Sequence, residues 1–305
     1  MSDALRLTNL RGTLKAGEPM ARHVSWRAGG AAARYYAPAD LEDLQNFLAQ
    51  LPPEEPLLFV GLGSNLLVRD AGYKGTVVML HAAGLHPQIL GGQLYAEAGV
   101  AAPKVARFAA RHAFAHAEFL AGIPGTIGGA LAMNAGCYGG ETWDLVSRAV
   151  TVDRRGALRT RPREEFELGY RHCALRDGRR LGEDEWFVGA WFALRPGDGE
   201  VSRARIRELL IRRIAAQPLS LPNAGSVFRN PPGDHAARLI EACGLKGLAR
   251  GGARVSDLHA NFIVNPERRA SAADLEGLIE EVRRRVAERF SIELVPEVRI
   301  VGDAA

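Results

Sequence analysis

From Phe119 to Gly140 the chain runs 22 residues without a charged side chain, and seven of them are glycine. A stretch that long could cross a bilayer, since a spanning helix takes about 20 predominantly apolar residues. Glycine at that density, with Pro124 and Asn134 inside the run, breaks a continuous helix. The segment is therefore expected as buried glycine-rich loops inside a folded domain, with no membrane insertion. There is enough apolar side chain to bury it. Of the 305 residues 47% are hydrophobic and 24% charged, which excludes disorder and suggests two domains.

Charge excludes another class. The 39 Lys+Arg against 35 Asp+Glu leave a net of +4, and only four of the basic residues are lysine. An arginine bias raises the pI without clustering charge on one face, so no nucleic-acid partner is expected. Cys137, Cys173 and Cys243 are odd in number and form no CxxC pair, which fits a reducing, cytoplasmic setting. The opening Met1-Ser2-Asp3 lacks the basic-then-apolar profile of a secretory signal. His112 and His116 have i, i+4 spacing, but neither a third ligand nor an HExxH form accompanies them. They read as partly buried helix histidines, with no metal site.

Periodicity predicts a helix over 39–50, capped by Asp40, with Leu41, Leu44, Phe47 and Leu48 on one face. Strands follow at 57–60, 66–68, 76–80 and 96–100, a helix at 103–114, and strands at 146–152 and 186–194. Past Pro196-Gly197-Asp198-Gly199 the texture turns helical: an Arg-rich helix over 201–216, a short one over 234–243, and one over 271–290. The last opens on a Ser271/Asp274 capping box and lines up Leu275, Leu278, Ile279, Val282 and Val286. Strands at 261–264 and 298–301 flank it, which makes this part α+β.

Several segments carry chemistry. Gly61-Leu62-Gly63-Ser64-Asn65 follows a buried strand, and its glycines let successive N–H groups point into a concavity that suits phosphate. It is neither a dinucleotide fingerprint nor a Walker loop, and taken alone it reads first as a tight turn between two strands. Ala121 to Ala130, continuing to Asn134-Ala135-Gly136, offers unpaired backbone donors near Thr126 without any charge. That combination suits a large, planar, partly apolar ligand bearing a diphosphate. Asn223 to Pro231 has the texture of an ordered functional loop, and Ser226 within it does not form a GxSxG elbow. Glu297 stands between apolar neighbours, where a carboxylate can serve as an acid. Arg171, read alone, says little.

In this order and at these spacings, the segments resemble the UDP-N-acetylenolpyruvoylglucosamine reductase family. The resemblance runs from His23-Val24-Ser25-Trp26-Arg27-Ala28-Gly29-Gly30 to Pro296-Glu297-Val298-Arg299, through Ile123-Pro124-Gly125-Thr126-Ile127-Gly128-Gly129, Asn134-Ala135-Gly136-Cys137-Tyr138-Gly139 and Gly225-Ser226-Val227-Phe228-Arg229-Asn230-Pro231. It implies an α+β fold. A two-lobed FAD-binding domain of the vanillyl-alcohol-oxidase type would span 1–197, its lobes divided near residue 80, with a smaller substrate-binding domain over 198–305. It further implies noncovalent FAD and NADPH as hydride donor. The reaction would be reduction of UDP-GlcNAc-enolpyruvate to UDP-N-acetylmuramate in peptidoglycan synthesis, with no obligate protein partner. The short stretch between Tyr170-Arg171 and Trp186 matches the subtype that lacks an extra substrate-covering loop.

The resemblance assigns catalysis to Ser226, Arg171 and Glu297. It assigns the cofactor to Gly61, Gly63, Ser64, Asn65, Pro124, Gly125, Thr126, Ile127, Gly129, Asn134 and Gly136, and the UDP portion of the substrate to Asn230 and Arg213. Two positions depart from the family pattern: Cys173 stands where serine is usual, and Ser25 where threonine is common.

Overall fold

The structure, a computed structural model, describes residues 7–303; the N-terminal Met1-Ser2-Asp3 lies outside them. It divides into two compact units. Among the described residues, the first gathers residues 7–16 with Arg34–Leu62 and Gly75–Leu210, and the second gathers Gly17–Ala33, Gly63–Lys74 and residues 211–303. These units differ from a single cut after residue 197, because two N-terminal segments are built into the second.

In the first unit a five-stranded sheet runs in the order Leu158–Pro162, Val146–Asp153, Glu185–Phe192, Gln93–Glu97, Gln88–Leu90, antiparallel throughout. The helices Ala102–Arg111 and Ile127–Ala132 contribute Val105, Ala109, Ile127 and Leu131 to the same core as Leu94, Ala96, Ala190 and Phe192. The strand expected at 96–100 lies earlier, at Gln93–Glu97. The chain turns at Gly99, where a Cβ would collide with the Leu80 carbonyl. The helix expected over 103–114 ends at Arg111, short of His112 and His116. Both histidines are exposed, and they do not share a helical face. The helix Leu41–Ala49 is capped by the Asp40 carboxylate on the Asp43 N–H and buries Leu44, Phe47 and Leu48. These side chains join Leu57 of the strand Leu57–Val60 and Val78 of Tyr73–Met79, which pair in parallel.

The second unit packs the helices Ala236–Ala242 and Ala272–Phe290 with a small antiparallel sheet, Ala249–Arg250, Ala253–Val255 and Ile263–Val264. The strand Arg299–Val301 pairs in parallel with Leu66–Val68. The long helix carries the expected Ser271/Asp274 capping box and buries Leu275, Leu278, Ile279, Val282 and Val286. Asp70 adds a carboxylate that accepts the N–H groups of Ala272 and Ala273, both at 2.9 Å, where the positive end of the helix dipole favours it. Trp26 is fully buried, and its indole donates to the Ile263 carbonyl at 2.8 Å across 237 residues of sequence. Asn265 returns a bond to the Trp26 carbonyl at 2.9 Å. No helix among the described residues is long and apolar enough to cross a membrane.

Candidate active site

Within the second unit, residues 227–229 form the middle of an extended three-way pairing. Val227 N–H donates to the Asn261 carbonyl, Arg229 N–H to Val295, and Glu297 N–H to Val227, at 2.7–2.9 Å. Asn261 is buried, and its side-chain amide accepts from the Phe228 N–H at 3.0 Å and donates to the Phe228 carbonyl at 2.8 Å. It imitates a neighbouring strand. Ser226, next along, is half-buried and follows Gly225, whose N–H is held by the Asn223 side chain at 2.9 Å. Glu297 therefore stands across from Val227, one residue from Ser226. Its carbonyl accepts the Asn65 amide at 3.0 Å. The serine loop, the Glu297 segment and the end of the first glycine turn are thus one hydrogen-bonded assembly.

Two substrate candidates are only partly open. Asn230 is exposed, but its amide oxygen accepts the Ala236 N–H at 3.1 Å and so caps a helix. Arg213 is half-buried, with Nε donating to Gln217 at 2.9 Å.

In the first unit, Arg171 occupies the two-residue turn of a hairpin, Phe166–Gly169 with His172–Leu175, in which Gly169 faces His172. Its guanidinium lies 5.0 Å from the Tyr170 ring centre and donates to the Gly136 carbonyl at 2.9 Å. Burial pushes the nearby Cys173 thiol up to about 12, so it is neutral at physiological pH. This unit also brings two glycine segments together, since a Cβ on Gly61 would fall on the Thr126 hydroxyl. Gly63, in the second unit, has φ +60, and a Cβ there would meet the His23 carbonyl.

Not every expected cofactor residue is free to bind one. Ile127 is fully buried and its N–H goes to Val100. Asn134 is 2% exposed, and its amide is committed to Gly169, Glu141 and Trp143. Pro124 and Gly129 are exposed, and Ser64 is half-buried. Among the described residues, the N–H groups of Gly61, Gly63, Ser64, Gly125, Thr126 and Gly129 donate to no protein acceptor. Backbone donors left unspent in glycine turns are the chemistry that a diphosphate takes up.

The sequence profile described as the FAD binding domain matches residues 32–161, which contain both turns. The profile of the UDP-N-acetylenolpyruvoylglucosamine reductase C-terminal domain matches 217–301. UDP-N-acetylenolpyruvoylglucosamine reductase of Thiobacillus denitrificans is 56% identical over 96% of this chain and 94% of its own length. The enzyme of that name from Methylococcus capsulatus is 57% identical over 96% and 95%. The chain belongs to the UDP-N-acetylenolpyruvoylglucosamine reductase family. The crystal structure of a UDP-N-acetylenolpyruvylglucosamine reductase from Thermus caldophilus superposes with a TM-score of 0.79 at 32% identity, covering 96% of this chain and 99% of that one. The α+β fold expected for the family, a FAD-binding domain followed by the family's C-terminal domain, is the one found.

Asn261 was not among the residues picked out from sequence. The signal available was a lone amide at the head of Phe262-Ile263-Val264, and an asparagine entering an apolar strand has to be spent on backbone.

Proposed function

We infer that the chain is the FAD-dependent reductase that uses NADPH to convert the enolpyruvyl group of UDP-GlcNAc-enolpyruvate into the lactyl group of UDP-N-acetylmuramate. The reading is carried by the bonding of the Ser226 loop to the Glu297 segment, with Asn65 of the glycine turn on the same Glu297 peptide. FAD, once reduced by NADPH, supplies the hydride for the terminal enolpyruvyl carbon. The backbone donors of Gly61, Gly63, Ser64, Gly125, Thr126 and Gly129 are the groups that would hold it, with Pro124 and Gly136 flanking them. Asn65 braces the first turn against Glu297, Ile127 is packed in the core beside Thr126, and Asn134 braces the hairpin at Gly169 and not these donors.

Arg171 is assigned the negative charge that builds on the carboxylate-conjugated enolate. A planar, permanently charged fork suits two oxygens and costs no reorganisation when the charge appears. Glu297, in its protonated form, donates a hydrogen bond to the same oxygens. Ser226 gives its proton to the carbon next to the carboxylate. A hydroxyl is a weak acid, so the step relies on a strongly basic enolate and a fixed position. Asn230 and Arg213 are assigned to the UDP portion, for which the arginine fork is a natural diphosphate partner. By function we divide the chain into a FAD-binding part over 1–197 and a substrate-binding part over 198–305. We place the enzyme in the cytoplasm, where its three free cysteines would stay reduced, without a nucleic-acid or obligate protein partner.

The test separates the two half-reactions by stopped flow. Purified protein should be yellow and should bleach with NADPH. Ser226→Ala should bleach at a near-normal rate but reoxidise with UDP-GlcNAc-enolpyruvate at least about 10²-fold more slowly, the scale of a lost general acid. A colourless protein that FAD cannot reconstitute would sink the whole reading. Equal damage to both half-reactions would remove Ser226 from proton delivery.

A further inference from the structure

We propose that Asn134 is a positioning residue for Arg171, acting through the hairpin turn and not through the cofactor. The inference rests on the catalytic reading of Arg171. That residue sits at φ +53, a left-handed conformation that a non-glycine side chain keeps only when its surroundings impose it. Two bonds from one short segment impose it here. Asn134 Nδ2 donates to the carbonyl of Gly169, the last strand residue before the turn, at 3.1 Å. Gly136 accepts Nη2 of Arg171 itself at 2.9 Å.

The amide has one workable orientation. Its oxygen accepts the Trp143 N–H at 3.2 Å, while its nitrogen also donates to Glu141 Oε2 at 2.8 Å. Flipping it would set a donor against a donor and an oxygen against two acceptors. The segment that carries both anchors is closed on itself, because Gly136 pairs with Glu141 across an antiparallel bridge. A buried amide locked on three sides thus fixes the base of the turn, and Gly136 fixes the head of the arginine. Preorganisation of that kind matters where a cation must meet charge that exists only fleetingly. Loading FAD and reducing it with NADPH place no such demand on Arg171.

Two variants of the FAD-loaded enzyme test this. Asn134→Gly removes the amide but tolerates the backbone, which is itself left-handed at φ +43. Asn134→Asp keeps the acceptor for Trp143 and sets an oxygen against the Gly169 carbonyl, so it serves if the glycine variant folds poorly. We expect flavin occupancy to be retained and NADPH reduction to stay within about twofold, while the half-reaction with UDP-GlcNAc-enolpyruvate slows by about tenfold or more. Amide hydrogen exchange across residues 166–175, measured without substrate, should quicken. Placed on Arg171→Ala, Asn134→Gly should add less than about twofold, because the residue it positions is already gone. Loss of flavin in both variants, equal slowing of both half-reactions, or a full multiplicative effect on Arg171→Ala would overturn the proposal. A full-rate Arg171→Ala would remove the reading of Arg171 itself, and the inference with it.

Discussion

Glu297 is held at both ends of its own residue: its N–H donates to Val227 at 2.7 Å and its carbonyl accepts Asn65 at 3.0 Å. With the backbone pinned, a shorter side chain cannot advance to compensate. If Glu297 works as a neutral hydrogen-bond donor, Glu297→Gln keeps a donor in nearly the same place, whereas Glu297→Asp withdraws the acid by a methylene. We therefore expect Gln to retain more of the reaction with UDP-GlcNAc-enolpyruvate than Asp, measured as the rate of flavin reoxidation. The opposite order would make Glu297 a proton donor, since an amide is no acid at these pH values. Near-normal rates in both would take it out of the site. The segments that carry Ser226 and Glu297 stood out in the chain, their proposed roles came with the resemblance, and the bond from the Glu297 N–H to Val227 was not legible. Nor was what their amide neighbours do. The resemblance assigned Asn65 and Asn134 to the cofactor, but the acceptors that claim their amides could not be read from the local sequence, Glu297 lying at a separation of 232 residues from Asn65.

Among the elements, the five-stranded sheet contains a charge cluster that joins its strands. Glu185, fully buried at the head of Glu185–Phe192, accepts from Thr151 on the neighbouring strand at 2.8 Å. It also accepts from Arg161 twice at 2.8 Å and from Arg179 at 2.6 Å. Burial alone would raise this carboxyl, but the Arg161, Thr151 and Arg179 bonds outweigh it and hold the group down at about 2, against 4.5 for a free glutamate. A depressed carboxyl stabilises the fold above its unfolded value and loses that contribution as pH falls through the folded one. Stability should therefore drop between pH 4.5 and about 2 through this group, and Glu185→Gln should flatten that part of the profile. At neutral pH the variant should cost on the order of 3 kcal/mol, because Arg161 keeps its burial and loses its main partner. Urea unfolding at a series of pH values reads both effects. The central strands Val146–Asp153 and Glu185–Phe192 were legible from their apolar runs, but the edge strands Leu158–Pro162 and Gln88–Leu90 were not, and neither was this cluster, because Thr151, Arg161, Arg179 and Glu185 share no local pattern. Only the antiparallel register sets Arg159 and Arg161 beside Thr151 and Ala149, and Thr151 beside Phe187.

At the scale of the whole molecule, the chain order conceals how the units are made. The helix Ala272–Phe290 was readable from its capping box and apolar stripe, whereas the origin of its supports was not. Asp70 caps it, Arg69 pairs with Glu276 at 2.8 Å, and Trp26 and Leu67 are fully buried in the same core as Leu275 and Leu278. The parallel pairing of Leu66–Val68 with Arg299–Val301 joins segments too distant for any local signal to announce. A fragment of residues 198–305 would contain the whole sequence-defined C-terminal domain and still lack these parts. Removing the buried Trp26 and Leu67 forfeits roughly 1.5–3 kcal/mol each. The lost Asp70 cap adds about 1 kcal/mol, and the exposed faces of Ile263 and Ile300 add more. That total rivals the 5–15 kcal/mol by which domains are typically stable. We therefore expect the fragment alone to show no cooperative urea transition, and mixing it with residues 1–197 to restore one. A sharp transition in the isolated fragment, near that of the full chain, would mean that the N-terminal segments are attached to this unit without being needed to build it.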